Sequence, residues 1–297
     1  QFAATRTLRE EDYVSQIDSA VLEQSGPVRA VVKIEGRHRS LTSERVCMPF
    51  TVRLYFYAGS ESVRIVHSFI FDGDGERDFI KGLGMAFSVP FEEEPHNRHI
   101  RFAGDGTGMW VQPVVMAPGF RPAAGPAVID TYAHHLGGGR MPNLADLPNQ
   151  ARNAILTMPA WGDAKLSQPG PNTFSIQKRT AAHNSWVNVT DGRRSLGLAA
   201  LGDVSGGIAV GMKDFWQKHP SAIHITNAAT DTGELRVWFW SPEAAPMDLR
   251  HYSDRPHGLN INYEDWKPGW SSAVGIANTT ELTLWAFGAI PANDQLV

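Results

Sequence analysis

Apolar and polar residues alternate with a period of two along much of the chain. In Phe50-Thr-Val-Arg-Leu-Tyr-Phe-Tyr57 the apolar set Phe50, Val52, Leu54 and Phe56 alternates with Thr51, Arg53, Tyr55 and Tyr57. Val28, Ala30, Val32 and Ile34 alternate in the same way with Arg29, Val31, Lys33 and Glu35. Glu234 to Trp240 and Glu281 to Phe287 repeat the pattern, with Trp238, Trp240 and Trp285 on the second face. Successive side chains of a strand point to opposite faces, so these runs predict strands with one face in a core. Glycine turns such as Tyr57-Ala-Gly-Ser-Glu-Ser62 and Phe71-Asp-Gly-Asp-Gly-Glu76 separate them. Helical signal is thin: a short helix within Ala145 to Leu156, limited at its start by Pro148, and one turn over Asp214 to Lys218. Arg121 to Pro171, rich in Gly and Pro and holding Gly137-Gly-Gly139, reads as a long irregular excursion. The expected architecture is all-β: one large antiparallel β-sandwich of the supersandwich kind over 1–297, with that loop and few short helices.

Composition narrows the function classes. The 297 residues are 42% hydrophobic and 20% charged, the balance of a chain with a core. A net charge of −4 argues against a broad basic nucleic-acid-binding face. No apolar stretch reaches the roughly 18–20 residues of a membrane-spanning helix. A single cysteine, Cys47, excludes an internal disulfide framework and a Cys-rich zinc site. The first residue is Gln1 rather than Met, which fits either a cleaved export signal or a larger parent chain.

The common catalytic motifs are missing. Gly82-Leu-Gly84 and Gly104-Asp-Gly-Thr-Gly108 lack the strand–helix context of a dinucleotide site. Asp72-Gly-Asp-Gly-Glu-Arg-Asp78 has the acidic spacing of a calcium loop without its closing bidentate Glu, so a hairpin turn explains it. There is no Gly-x-Ser-x-Gly elbow and no His-Glu-x-x-His helix. What remains are loop groups of His, Tyr, Arg and Lys: Tyr132, His134, His135 and Arg140; His96, Arg98, His99 and Arg101; Lys178, Arg179, His183 and Trp186; Arg193 and Arg194; and Asp248-Leu-Arg-His-Tyr252. Such residues suit removal of a carbon-bound proton beside a carboxylate, a cation neutralising the carboxylate while His or Tyr takes the proton. Each taken alone also fits a solvated loop, and the Trp-rich strand faces also fit a core.

Two segments are more specific. Asp214-Phe-Trp-Gln-Lys-His-Pro220 and Trp240-Ser-Pro-Glu-Ala-Ala-Pro-Met-Asp-Leu-Arg-His-Tyr252 resemble secreted polysaccharide lyases of the exo-rhamnogalacturonan lyase type, with related ulvan-lyase-like proteins. Gly26 to Gly36, Phe71 to Gly84, Gln177-Lys-Arg-Thr180 and Val274 to Leu282 support the likeness, which extends over Gly26 to Phe287. The resemblance implies a central β-sandwich that in its family lies between an N-terminal β-domain and a C-terminal helical toroid. The length and periodicity here leave no room for the toroid, so a partner helical domain in the parent polypeptide is expected, or else a shortened relative.

The leading expectation is β-elimination at a uronic acid of an acidic polysaccharide such as rhamnogalacturonan or ulvan, by a secreted or periplasmic protein. In that scheme Arg250 or Arg193 neutralises the carboxylate, with Lys178 and Arg179 as further basic contacts. His135, His134 or His251 removes the proton, Tyr132 or Tyr252 protonates the leaving oxygen, and Trp186, Trp216 or Trp240 stacks on sugar rings. No organic cofactor is required, although a divalent cation such as calcium can replace the arginine. Two other classes stay open: a non-catalytic carbohydrate-binding or scaffolding module, and a glycoside hydrolase needing two carboxylates across a cleft, where acidic residues such as Glu243 and Asp248 exist but nothing in the sequence brings a pair together.

Overall fold

A computed structural model of the chain describes residues 9–116, 132–249 and 273–296. The described residues are nearly all β, in two antiparallel sheets with a few short helices. None of those helices is long and apolar enough to cross a membrane. The chain divides into two compact units, Gln1–Lys81 with Ala245–Glu281, and Gly82–Ala244 with Leu282–Val297.

The first unit is built on a meander of four long strands, β1 (Tyr13–Ser25), β2 (Arg29–Ser40), β3 (Val46–Tyr57) and β4 (Ser62–Ile70). Each pairs antiparallel with the next. Phe50 and Val52 are buried as their alternation predicts, together with Ile65, Phe69 and Phe71. In β2 the expected faces are exchanged. Val31, placed on the polar face, is wholly buried, whereas Ala30, Val32 and Ile34 are only half-buried. The run Val28 to Glu35 has apolar residues on both faces at Val31 and Val32, so alternation alone cannot choose the inward side.

The second unit is a sandwich in its own right. One sheet runs β10 (Val187–Gly192), β9 (Thr173–Arg179), β8 (Asp163–Gly170), β13 (Ser221–Thr226), β14 (Thr232–Trp240) and β5 (Leu83–Pro90). The facing layer orders the Leu282–Phe287 end of β15 (Ala277–Phe287) beside β12 (Gly206–Met212), β11 (Leu198–Asp203), β6 (Arg98–Ala103) and β7 (Met109–Pro113). Leu166, Ile176, Ile223, Ile225, Leu235 and Val237 from the first layer meet Ile100, Phe102, Ala199, Leu201 and Val210 from the second, all at most 1% exposed. The layers approach closely at Gly233, where an added Cβ would stand 2.9 Å from Phe91 and 3.0 Å from Leu201.

The short helices fall near their expected places. Leu144–Asp146 forms a single tight turn, Asn149–Leu156 follows Pro148 as an α-helix, and the Lys218 amide donates to the Asp214 carbonyl to close one turn. The excursion is shorter than read, because β8 occupies 163–170. Its first six residues, Asp-Ala-Lys-Leu-Ser-Gln, are all buried, so the polar ones give no outward alternation to recognise.

A cationic and aromatic face on the six-stranded sheet

The side chains of the six-stranded sheet that turn away from the core include Asp163, Lys165 and Ser167 on β8, Arg179 on β9, His224 on β13, and Glu234, Arg236 and Trp238 on β14. They take this face because their neighbours Ala164, Leu166, Ile223, Ile225, Leu235 and Val237 fill the core, and the period of two sends the rest outward. Register then aligns them across strands. Lys165 stands opposite His224, and His224 opposite Arg236, so a cation, an imidazole and a cation form one row over three adjacent strands. Ser167, Ala222 and Trp238 form the next row.

Two loops complete the face. Trp186, just before β10, lies under both the Lys165 ammonium at 4.4 Å and the Arg179 guanidinium at 4.3 Å. Arg179 Nε also donates to Asp163 at 2.8 Å, and Asp163 accepts the Asn227 amide at 3.1 Å. Glu243 arrives from the turn after β14, accepting a bond from Lys165 on one oxygen and from the Ser167 hydroxyl on the other at 3.1 Å. On the far side Arg236 pairs with Glu234 at 2.8 Å and lies 5.1 Å from the Trp238 ring centroid.

At the centre, His224 meets Trp238 edge to face at 5.9 Å. His224 Nε2 and Trp238 Nε1 are both buried and have no hydrogen-bond partner among the described residues. Burial pushes the His224 pKa down to about 4; Glu243 opposes that, and Lys165, Arg236 and Arg179 add to it. The imidazole is therefore neutral at ordinary pH. Burial raises the Glu243 carboxyl, but the bond and charge of Lys165, then His224 and Ser167, hold it below the ordinary carboxylate range.

Of the residues expected from sequence, Arg179 and Trp186 belong to this face, and Trp240 follows Trp238 at the alternate position of β14. Lys178 does not. It points to the opposite side of β9, donating to Gln112 at 2.6 Å and lying 3.8 Å from the Trp161 ring centroid, and burial lowers its pKa. The pair Lys178-Arg179 is split because adjacent strand residues cannot share a face. Trp216 is half-buried outside this face, with the Arg194 guanidinium 4.2 Å from its ring centroid. Arg193 is exposed in the loop after β10, where its amide donates to Asp105 and its carbonyl accepts from Gln168.

Tyr132, His134 and His135 lie in a helical segment at 132–136. Tyr132 and His134 are exposed there, the latter bonding the Arg140 carbonyl at 3.3 Å. His135 is wholly buried and donates from Nε2 to the His96 carbonyl at 2.7 Å, so it fastens the segment to the fold instead of facing a substrate. Arg250, His251 and Tyr252 lie outside the described residues. Sequence reasoning missed Lys165, His224 and Arg236. The available signal was His224 as the single ionisable residue in Ala222-Ile-His-Ile-Thr226, but its partners come from strands 59 residues upstream and 12 downstream, a pairing that no local pattern reveals. Among the described residues, no three His, Cys, Asp or Glu side chains converge as a metal site.

A family model described as the PcRGLX-like protein central beta sandwich domain matches residues 1–297. The chain is also 36% identical, over 99% of its length, to the uncharacterized protein YetA of Bacillus subtilis (strain 168), and spans about a third (34%) of that relative. Among solved structures, a putative aldose 1-epimerase from Escherichia coli aligns over 91% of this chain and 68% of its own at 12% identity and a TM-score of 0.34. A galactose mutarotase-like protein from Lactobacillus casei aligns over 90% and 73% at 10% identity and a TM-score of 0.31. Likenesses at those scores carry no argument about the site.

Proposed function

As the chain belongs to the PcRGLX-like central β-sandwich family, of the rhamnogalacturonan lyase-like type, we propose that its six-stranded sheet binds uronic-acid units of an acidic polysaccharide and cleaves them by β-elimination. The observation that carries this reading is the row Lys165–His224–Arg236, a neutral imidazole held between two cations. Elimination asks for that combination. A cation neutralises the uronate carboxylate and makes the C5 proton acidic, and His224 takes that proton. The electron pair forms the C4–C5 double bond as the C4–oxygen bond breaks, and the departing oxygen collects a proton from water or from the imidazolium. Trp186 offers an aromatic surface beside the row. The carboxylates of this face are each engaged by a cation, Asp163 by Arg179, Glu243 by Lys165 and Glu234 by Arg236, which disfavours a hydrolytic pair. A polymer of this class is met outside the cytoplasm, in keeping with a secreted or periplasmic place.

The test is the ultraviolet absorbance of the unsaturated uronate product, followed with rhamnogalacturonan, ulvan and polygalacturonate. The expected result is rising absorbance that His224→Ala lowers by about 10²–10⁴-fold, the usual range for a lost acid–base group, with the folded circular-dichroism spectrum retained. A flat trace with binding retained overturns cleavage and leaves this face as a binding module. Undiminished activity in His224→Ala removes the imidazole from the mechanism.

A further inference from the structure

Glu243 is an odd member of its face. Lys165 and Ser167 sit two residues apart on a central strand, and the Lys165 side chain is only 9% exposed, whereas its carboxylate partner is 42% exposed and comes from a turn. That turn is tied by the Glu243 amide on Ser241 Oγ at 3.3 Å and the Ala244 amide on the Ser241 carbonyl at 3.1 Å. The cation is thus fixed by the sheet and the anion is carried on a side chain with room to leave.

Charge shows what leaving would do. Lys165, Arg179 and Arg236 are matched one for one by Glu243, Asp163 and Glu234. Withdrawal of Glu243 alone leaves one uncompensated cation, and it is the buried Lys165, where an unpaired charge is costly. A neutral sugar cannot replace the lost charge; a monoanionic carboxylate can. Beside it, His224 Nε2 and Trp238 Nε1 are buried polar groups that Glu243 leaves without partners.

We infer that Lys165, Ser167 and His224 form a receiving site for an external carboxylate, filled in the free protein by the side chain of Glu243, which the acidic ligand displaces. The inference rests on the reading that this face binds acidic sugars, and it makes Glu243 a placeholder that screens out neutral saccharides.

Chemical rescue tests it. Glu243→Ala melts at a lower temperature than the wild type. Sodium acetate or sodium galacturonate raises that melting temperature by several degrees, where sodium chloride at equal ionic strength and galactose do not, and the wild type, whose site Glu243 already fills, responds less than the variant. Acetate acting no better than chloride on Glu243→Ala overturns the site. Should that variant fail to fold, Glu243→Gln keeps the shape and removes the charge. It is expected to bind digalacturonate about tenfold tighter than the wild type, a difference of about 1.4 kcal/mol; weaker binding makes Glu243 a positioning residue for Lys165 and ends the inference. Failure of the underlying reading looks different: carboxylate rescue is intact, yet neither wild type nor variant binds or cleaves an acidic polysaccharide.

Discussion

The second unit has two outward faces, and each carries histidine and arginine with opposite outcomes. On the β11–β6 side, His99 and Arg101 project away from the core and are wholly buried beneath other parts of the chain. Arg101 donates to the carbonyls of Gly137 and Pro291 and to Asn293 Oδ1, while His135 meets His99 edge to face at 5.7 Å. Nearby, His96 donates to the Pro142 carbonyl at 2.9 Å and the Asn97 amide group brackets Met141. On the β8–β13–β14 side the same residue types meet carboxylates and indole rings. The partner separates the two. Backbone carbonyls are permanent acceptors and make a cation structural, whereas a carboxylate on a turn can be exchanged for another anion.

The largest effect that would sharpen this contrast is on stability. Arg101→Met removes a wholly buried guanidinium that ties Gly137, Pro291 and Asn293 to β6 and is expected to cost about 3 kcal/mol, while Arg236→Met on the other face stays within about 1 kcal/mol. Urea unfolding of both variants checks it, and equal losses would erase the distinction.

Acidity is the next lever. His224 in the folded chain is pushed from 6.5 down to about 4, so below pH 6.5 the unfolded chain takes up a proton that the folded chain refuses. The stability contributed by its neutral form is complete above about pH 6.5 and is lost as pH falls toward 4. If His224 is the base, the acid limb of kcat/KM follows the same group and breaks near pH 4. A break near 6.5 would instead identify a solvated histidine as the base.

The smallest expected effect is at Trp186. Trp186→Leu removes the ring beneath Lys165 and Arg179 and is expected to raise KM several-fold with kcat little changed, each cation–π contact being worth about 0.5–1 kcal/mol. A fall in kcat with KM preserved would mean that the ring aligns the cations instead of holding sugar.

Much of the fold could be read because strands leave a local record. Leu235, Val237 and Phe239 alternate with Trp238 and Trp240 in the sequence as in the structure. The record fails where burial and polarity coincide. Asp163, Lys165 and Ser167 are buried polar residues, so β8 did not register as a strand, and the site it carries went with it. Trp186 and Arg179 were legible as residue types, yet their meeting with His224 depends on the order β9-β8-β13-β14, which is set by packing and not by any stretch of chain. His135 shows the converse: its Gly-rich surrounding predicts an open loop, but the segment is closed down by Arg101 and Asn97.

The row Lys165–His224–Arg236 has one more consequence. Its members stand on neighbouring rungs of a hydrogen-bonded ladder, whose pitch of about 4.8 Å is a property of the backbone. The row is therefore a ruler roughly 10 Å long that no side-chain substitution can lengthen or shorten. Variation in what this face meets must come through what hangs over the ruler, the turn bearing Glu243 and the loop bearing Trp186, because the graduations themselves are fixed.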